Sequence, residues 1–75
     1  MLNEKQLTAA EVKALPVGTE VTLHGYDRRG NHVRRDCTIV QSGKTKKLRS
    51  FDWYRGETKI ESIVDRPRKW YTVRE

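Results

Sequence analysis

The chain has 75 residues, with 16 Lys and Arg against 10 Asp and Glu, a net charge of +6 and 35% hydrophobic residues. That length is one small domain, able to hide only about 60 to 65% of the surface its unfolded form exposes, and its apolar residues recur throughout, which argues against a disordered tail. The single Cys37 excludes an internal disulfide and fits a reducing compartment, the cytoplasm by default, while no apolar run approaches the roughly 20 residues that span a bilayer and Met1 to Gln6 holds no signal-peptide core.

One domain over residues 1–75 is expected, with residues 1–6 flexible. The first element is a short helix. In Leu7-Thr8-Ala9-Ala10-Glu11-Val12, Thr8 can cap the backbone N–H of Glu11, Glu11 can reach back to Thr8, and Leu7 can pack on Val12. Pro16 disfavours helical geometry at Leu15 and lacks the donor a continuing helix needs, so the helix is confined to about residues 9 to 15.

Beyond Pro16 the apolar period becomes alternating. Turn signals at Val17-Gly18, Asp27 to Gly30, Ser42-Gly43, Arg55-Gly56 and Arg66-Pro67 recur at the spacing of a small all-β fold. Five strands are predicted, near 19 to 26, 31 to 41, 47 to 54, 58 to 64 and 69 to 74. The stretch Leu15-Pro16-Val17-Gly18-Thr19-Glu20-Val21-Thr22-Leu23 resembles the way many SH3-like barrels begin their first strand. The fold class expected is mainly β, a partly open five-stranded SH3-like barrel with one short N-terminal helix; an OB-type barrel normally needs more chain. The resemblance covers only those residues, and a fold so widely used implies no single function.

Asp27-Arg28-Arg29-Gly30 has the pattern of a three-residue hairpin with a glycine bulge, which fixes a register. Tyr26 falls opposite His32, Gly25 opposite Val33, His24 opposite Arg34, Leu23 opposite Arg35 and Val21 opposite Cys37. Val21, Leu23, Gly25, Val33, Cys37 and Ile39 then share the core face, and Thr22, His24, Tyr26, His32, Arg34, Asp36 and Thr38 share a polar outer face. Arg35 is the awkward member, because this register aims it at the core side; either it snorkels outward or a bulge breaks the alternation.

The charge is concentrated in the middle of the chain: residues 1–27 carry a net −2, residues 28–49 a net +7 and residues 50–75 a net +1. Such a band points to a polyanionic partner, DNA or RNA first. Arg28, Arg29, Arg34, Arg35, Lys44, Lys46, Lys47 and Arg49 are the candidate phosphate contacts, and His24, Tyr26 and Trp70 the candidate rings for stacking. A solvated hairpin face and a lysine-rich edge that blocks strand pairing would use the same residues. Arg66-Pro67-Arg68-Lys69 forms a second, smaller basic cluster. Trp53 is expected in the core with Phe51, Ile60, Ile63, Val64, Tyr71 and Val73, and Tyr26, Tyr54 and Trp70 are expected to stay partly exposed.

No catalytic constellation is legible. Cys37 lies on the predicted core face with no positioned base, and the register puts it across the sheet from His24 and His32, which leaves no metal site. No cofactor motif occurs. The sequence therefore supports two functional classes: a non-enzymatic nucleic-acid-binding domain, or a protein-interaction or regulatory adaptor module, of a kind found among phage and plasmid regulators, that meets an acidic partner surface through the same cations.

Overall fold

The computed structural model describes residues 5–73. Among them lie one helix, α1 (Ala9–Lys13), and five strands, β1 (Glu20–Tyr26), β2 (His32–Ser42), β3 (Thr45–Asp52), β4 (Glu57–Ser62) and β5 (Trp70–Val73). Residues 1–4 of the segment expected to be flexible, and Arg74 of the fifth strand, fall outside the described residues.

Helix α1 forms where its capping chemistry dictates. The Thr8 hydroxyl accepts from the Glu11 N–H at 3.2 Å, and the Glu11 carboxylate accepts from the Thr8 N–H at 3.2 Å. Asp65 adds a third acceptor, taking the Ala9 N–H at 2.9 Å and tying the helix start to the chain before β5. The regular helix ends at Lys13, earlier than the expected limit, with Ala14 as its C-cap.

The five strands form one antiparallel sheet in the order β4-β3-β2-β1-β5. Consecutive strands pair through short turns, and β5 returns to pair with β1. No ladder joins β4 to β5 among the described residues, so the sheet is not closed; of the partly open barrel expected from the sequence, the five-stranded antiparallel sheet and the short helix are present. The register of the first hairpin agrees pair for pair with the one the turn implies, from Tyr26↔His32 to Val21↔Cys37. The Asp27 carboxylate builds that turn by accepting from the backbone N–H groups of Arg29 and Asn31, both at 2.9 Å, while Gly30 takes φ +82°. The Asn31 N–H, ahead of the other bonds, holds the Asp27 carboxyl below the usual carboxylate range.

The core lies between the inner face of this sheet and α1. Val21, Cys37, Ile39 and Leu48 come from the sheet, Ala9 and Val12 from the helix, Ile63 from the segment after β4 and Tyr71 from β5; Leu7, Leu15 and Leu23 pack around them. The Tyr71 hydroxyl closes one edge by donating to the Val64 carbonyl at 2.9 Å. Several expected core members lie outside: Val33, Ile60 and Val64 are exposed, as are Phe51 and Trp53. Val33 lies near the hairpin tip, beyond the reach of the helix, and the others belong to the outer face or to the strand ends.

Arg35 keeps its place in the ladder opposite Leu23, with no bulge. It crosses the inner face to form an ion pair with Glu61 of β4, which Lys59 also approaches at 3.1 Å. Burial alone would raise the Glu61 carboxyl, but the Lys59 hydrogen bond and the Arg35 charge outweigh it and hold it below its ordinary value.

Candidate nucleic-acid interface

The outer face of the sheet is set by strand parity, since residues two apart point the same way and directly paired residues share a side. On β2 it carries His32, Arg34, Asp36, Thr38 and Val40. On β3, Lys47 lies opposite Val40 and Arg49 opposite Thr38, so both join that face. The cationic band of the sequence thus divides in space. Arg28 and Arg29 occupy the hairpin tip; Arg34, Arg49 and Lys47 follow along the outer face; Lys44 sits in the turn at the far end of β2. From Arg34 to the level of Lys47 this stripe runs six residues of β2, roughly 20 Å.

Two members of the band point elsewhere. Arg35 is held on the inner face by Glu61. The Lys46 ammonium donates to the Leu15 carbonyl at 2.6 Å, anchoring the chain just after α1. Both side chains therefore have structural partners, and the outward cations are Arg28, Arg29, Arg34, Lys44, Lys47 and Arg49.

Three of the outer-face rings close on one another. His24 of β1 meets both His32 of β2 and Trp70 of β5, its ring 5.1 Å from each and nearly parallel to the Trp70 indole, while His32 and Trp70 lie 5.4 Å from one another. Its Nδ1 shares a hydrogen with His32 Nε2 at 2.9 Å and its Nε2 bonds the Thr72 hydroxyl at 2.8 Å. His24 is only 1% exposed, which corrects the expectation that it presents its ring to a partner. The rings of two neighbouring strands cover it, so it holds the stack together from within. Tyr26 stands at the rim, half exposed and tilted 5.5 Å from Trp70, and Trp70 itself is partly buried.

The smaller basic cluster joins this stack. Arg66 to Lys69 form a turn closed by the Lys69 N–H on the Arg66 carbonyl at 3.3 Å, with Arg68 at φ 65°, the one non-glycine positive φ among the described residues. That backbone places the Arg68 guanidinium 5.9 Å over the Tyr26 ring, a cation–π arrangement. Lys69 runs beside Gly25, whose missing side chain leaves room for it. The second basic cluster therefore extends the positive surface around the β1–β2 hairpin.

A different set of rings stands open. Trp53 is 84% exposed and Tyr54 fully exposed, and Phe51 meets Trp53 edge to face at 4.8 Å. Trp53 is the clearest departure from the sequence reading, which put it in the core. Leu48 shows why, because it is buried on the inner face, and strand parity then sends Phe51 outward with Arg49 and Lys47. The signal was present as the alternation Lys47, Arg49, Phe51, Trp53, but the usual burial of large rings outweighed it.

No protein-family model matches the sequence, and no curated protein and no solved structure shows significant similarity to it. The site must be read from its own geometry. The β2–β3 ladder ends at Thr38↔Arg49, and beyond it the strands part. Arg34, Arg35 and Asp36 line one wall of the resulting cleft, and Ser50, Phe51, Asp52, Trp53, Tyr54 and Lys59 line the other. The acidic groups here are engaged: Asp36 accepts from the Thr22 hydroxyl at 3.3 Å, and Asp52 accepts from the Tyr54 N–H at 3.0 Å and the Arg55 N–H at 3.3 Å.

Cys37 lies buried next to this region, in an adjoining hollow that it lines with Asp36, Ser50 and Phe51. Burial, ahead of the Glu61 charge, pushes its thiol up to about 11, so it is not poised as a nucleophile. Among the described residues no group of three or more His, Cys, Asp or Glu side chains is arranged to hold a metal ion, and no helix is long and apolar enough to cross a membrane.

Proposed function

We propose that this chain is a small, SH3-like β domain that binds DNA or RNA through its outer face, without catalysing a reaction. Five short antiparallel strands around one small core, with the last paired to the first, are consistent with the SH3-like reading. The observation that carries the function is the alignment of Arg34, Arg49 and Lys47 along one sheet face that ends in the open rings of Phe51 and Trp53. Cations in a line neutralise successive phosphates, and exposed rings accept base faces. Arg28 and Arg29 at the hairpin tip, and Arg68 beside Tyr26, lengthen the same positive surface. Arg35, Lys46 and His24 drop from the contact set in this reading, because each is held by a structural partner. The lone thiol of Cys37, kept reduced, fits a cytoplasmic setting.

Titration against labelled single-stranded DNA, duplex DNA and RNA tests this at two salt concentrations. If four to six phosphates are neutralised on duplex DNA, log affinity falls against log salt with a slope of roughly −3.5 to −5.5. Replacing Arg34, Arg49 and Lys47 together by Ala should reduce both the affinity and the slope. A flat salt response overturns the phosphate-based mechanism.

The alternative class, an interaction module for an acidic protein, draws on one observation. Ile60 pairs with Arg49 and is 49% exposed, so it extends the Phe51–Trp53 rings into an apolar patch with charges at its rim. Such a patch is the usual form of a protein anchor. The surplus of outward cations serves either partner; the row of cations leading into open ring faces, which unpaired bases can stack on, favours nucleic acid.

A further inference from the structure

Resting on the nucleic-acid reading, we propose that the fork between β2 and β3 is a single-strand site, in which unpaired bases seat on Trp53 and Phe51 while Arg34 and Arg49 hold the flanking phosphates.

The fork follows from how β2 divides its partners. Its first part pairs with β1 from His32 to Thr38, and its last part pairs with β3 from Thr38 to Ser42. Continued in the same register, Asp36 would face Phe51 and Arg34 would face Trp53. The strands separate instead, which leaves Phe51 with a ladder partner, Thr58, on one side only. An aromatic that loses one flanking strand in a sheet exposes its face there.

The rings are held up by a turn that does not need them. Asp52 closes it, accepting from the Tyr54 and Arg55 N–H groups through its carboxylate and from the Gly56 N–H through its carbonyl at 2.7 Å. Gly56 supplies the positive φ of 65°. A domain with so little core gains nothing in stability from leaving Phe51, Trp53 and Tyr54 in water, and three open rings at one strand end and its fixed turn are a platform rather than a packing accident.

The chemistry of the platform selects the ligand. Along β3, Lys47, Arg49 and Phe51 alternate on one face at steps of roughly 7 Å, and Trp53 follows in the turn just past the strand, so that two cations are succeeded by two rings. That repeat is close to the spacing of successive phosphates in an extended single strand. A duplex keeps its base faces stacked inside and can use only the cations. A single strand can use both halves of the row.

The test compares four ligands on the whole chain: an oligodeoxythymidine, the same strand carrying abasic sites, a duplex of equal length, and an acidic polypeptide, polyglutamate. Trp53→Ala should weaken oligodeoxythymidine binding by roughly 5- to 100-fold, leave the abasic strand and the duplex within twofold, and keep the thermal transition of the parent. Trp53→Phe should restore most of the loss. If Trp53→Ala binds oligodeoxythymidine as the parent does, while the Arg34/Arg49/Lys47 variant loses salt-dependent binding, the single-strand site is overturned and the nucleic-acid reading stands. Absence of binding to every nucleic acid at low salt overturns both, and Trp53-dependent binding of polyglutamate alone would move the platform to a protein partner.

Discussion

Two groups of rings share the outer face of this sheet and meet opposite fates. His24, His32 and Trp70 come from three adjacent strands and stack across them, with both nitrogens of His24 bonded and its ring sealed. Phe51 comes from the end of a single strand and Trp53 from the turn just past it; they touch edge to face and stand in solvent. Residue type does not separate the groups, since each holds a tryptophan. Strand continuity does: β1 has a partner on both sides at His24, Arg34 on β2 and Trp70 on β5, whereas the ladder between β2 and β3 ends at Thr38↔Arg49, two pairs short of Phe51. A ring flanked by strands on both sides is covered by its neighbours' side chains, and a ring at a fork is left to a ligand.

The largest effect expected from this contrast is on stability. His24→Ala removes a buried ring and deprives His32 and Thr72 of a hydrogen-bond partner, a loss of about 3 kcal/mol. A domain of this length has only about 4 to 11 kcal/mol in total, so the urea midpoint should fall steeply. Trp53→Ala, by contrast, should change stability by less than about 0.5 kcal/mol. Equal losses for the two variants would show that the open rings contribute to the fold and would remove the distinction.

Much of this arrangement was legible in the sequence, and the exceptions have a common cause. The first hairpin followed from Asp27 and Gly30 alone, because a turn type dictates a register and a register dictates faces. The capping box at Thr8 and Glu11 located the helix start for the same reason, both being local chemistry. Trp53 and His24 were misplaced in opposite directions, one expected inside and found open, the other expected open and found sealed. For His24 parity identified the face, but for Trp53 the usual burial of large rings outweighed the alternation; in both, burial depended on where neighbouring ladders end. That is a property of sheet curvature and of strands distant in the chain. Arg35 is the intermediate case: the register aimed it inward, and only the fold could supply Glu61.

A smaller effect should separate the two sides of the sheet by pH. Glu61, on the β3–β4 side, has its carboxyl held below the ordinary value of 4.5 in the folded state, because the Lys59 hydrogen bond and the Arg35 charge outweigh the upward push of burial. Its contribution to stability is therefore complete above 4.5 and disappears as pH falls through the lower, folded value. The pair is partly open to solvent, so Glu61→Gln should cost about 1 kcal/mol or less at neutral pH and nothing at pH values where both forms are uncharged. A difference between parent and Glu61→Gln that persists unchanged into strong acid would show that the side chain acts through packing rather than charge.

The smallest effect expected is a null one, read by the thiol beneath the fork. Cys37 is buried and its thiol is pushed up to about 11 by burial, with the Glu61 charge second, so near pH 8 little thiolate exists and alkylation must wait for opening of the structure. His24→Ala makes opening more frequent and should speed labelling by iodoacetamide in proportion to the stability lost. Trp53→Ala leaves the rate where it was, because a ring that seals nothing cannot admit reagent when it is removed. The same substitution that weakens single-strand binding would then leave both the unfolding transition and the buried thiol untouched. Faster labelling in Trp53→Ala would instead mean that the ring shields the cleft floor, and its exposure would have to be explained as part of a moving lid over Cys37 rather than as a fixed platform.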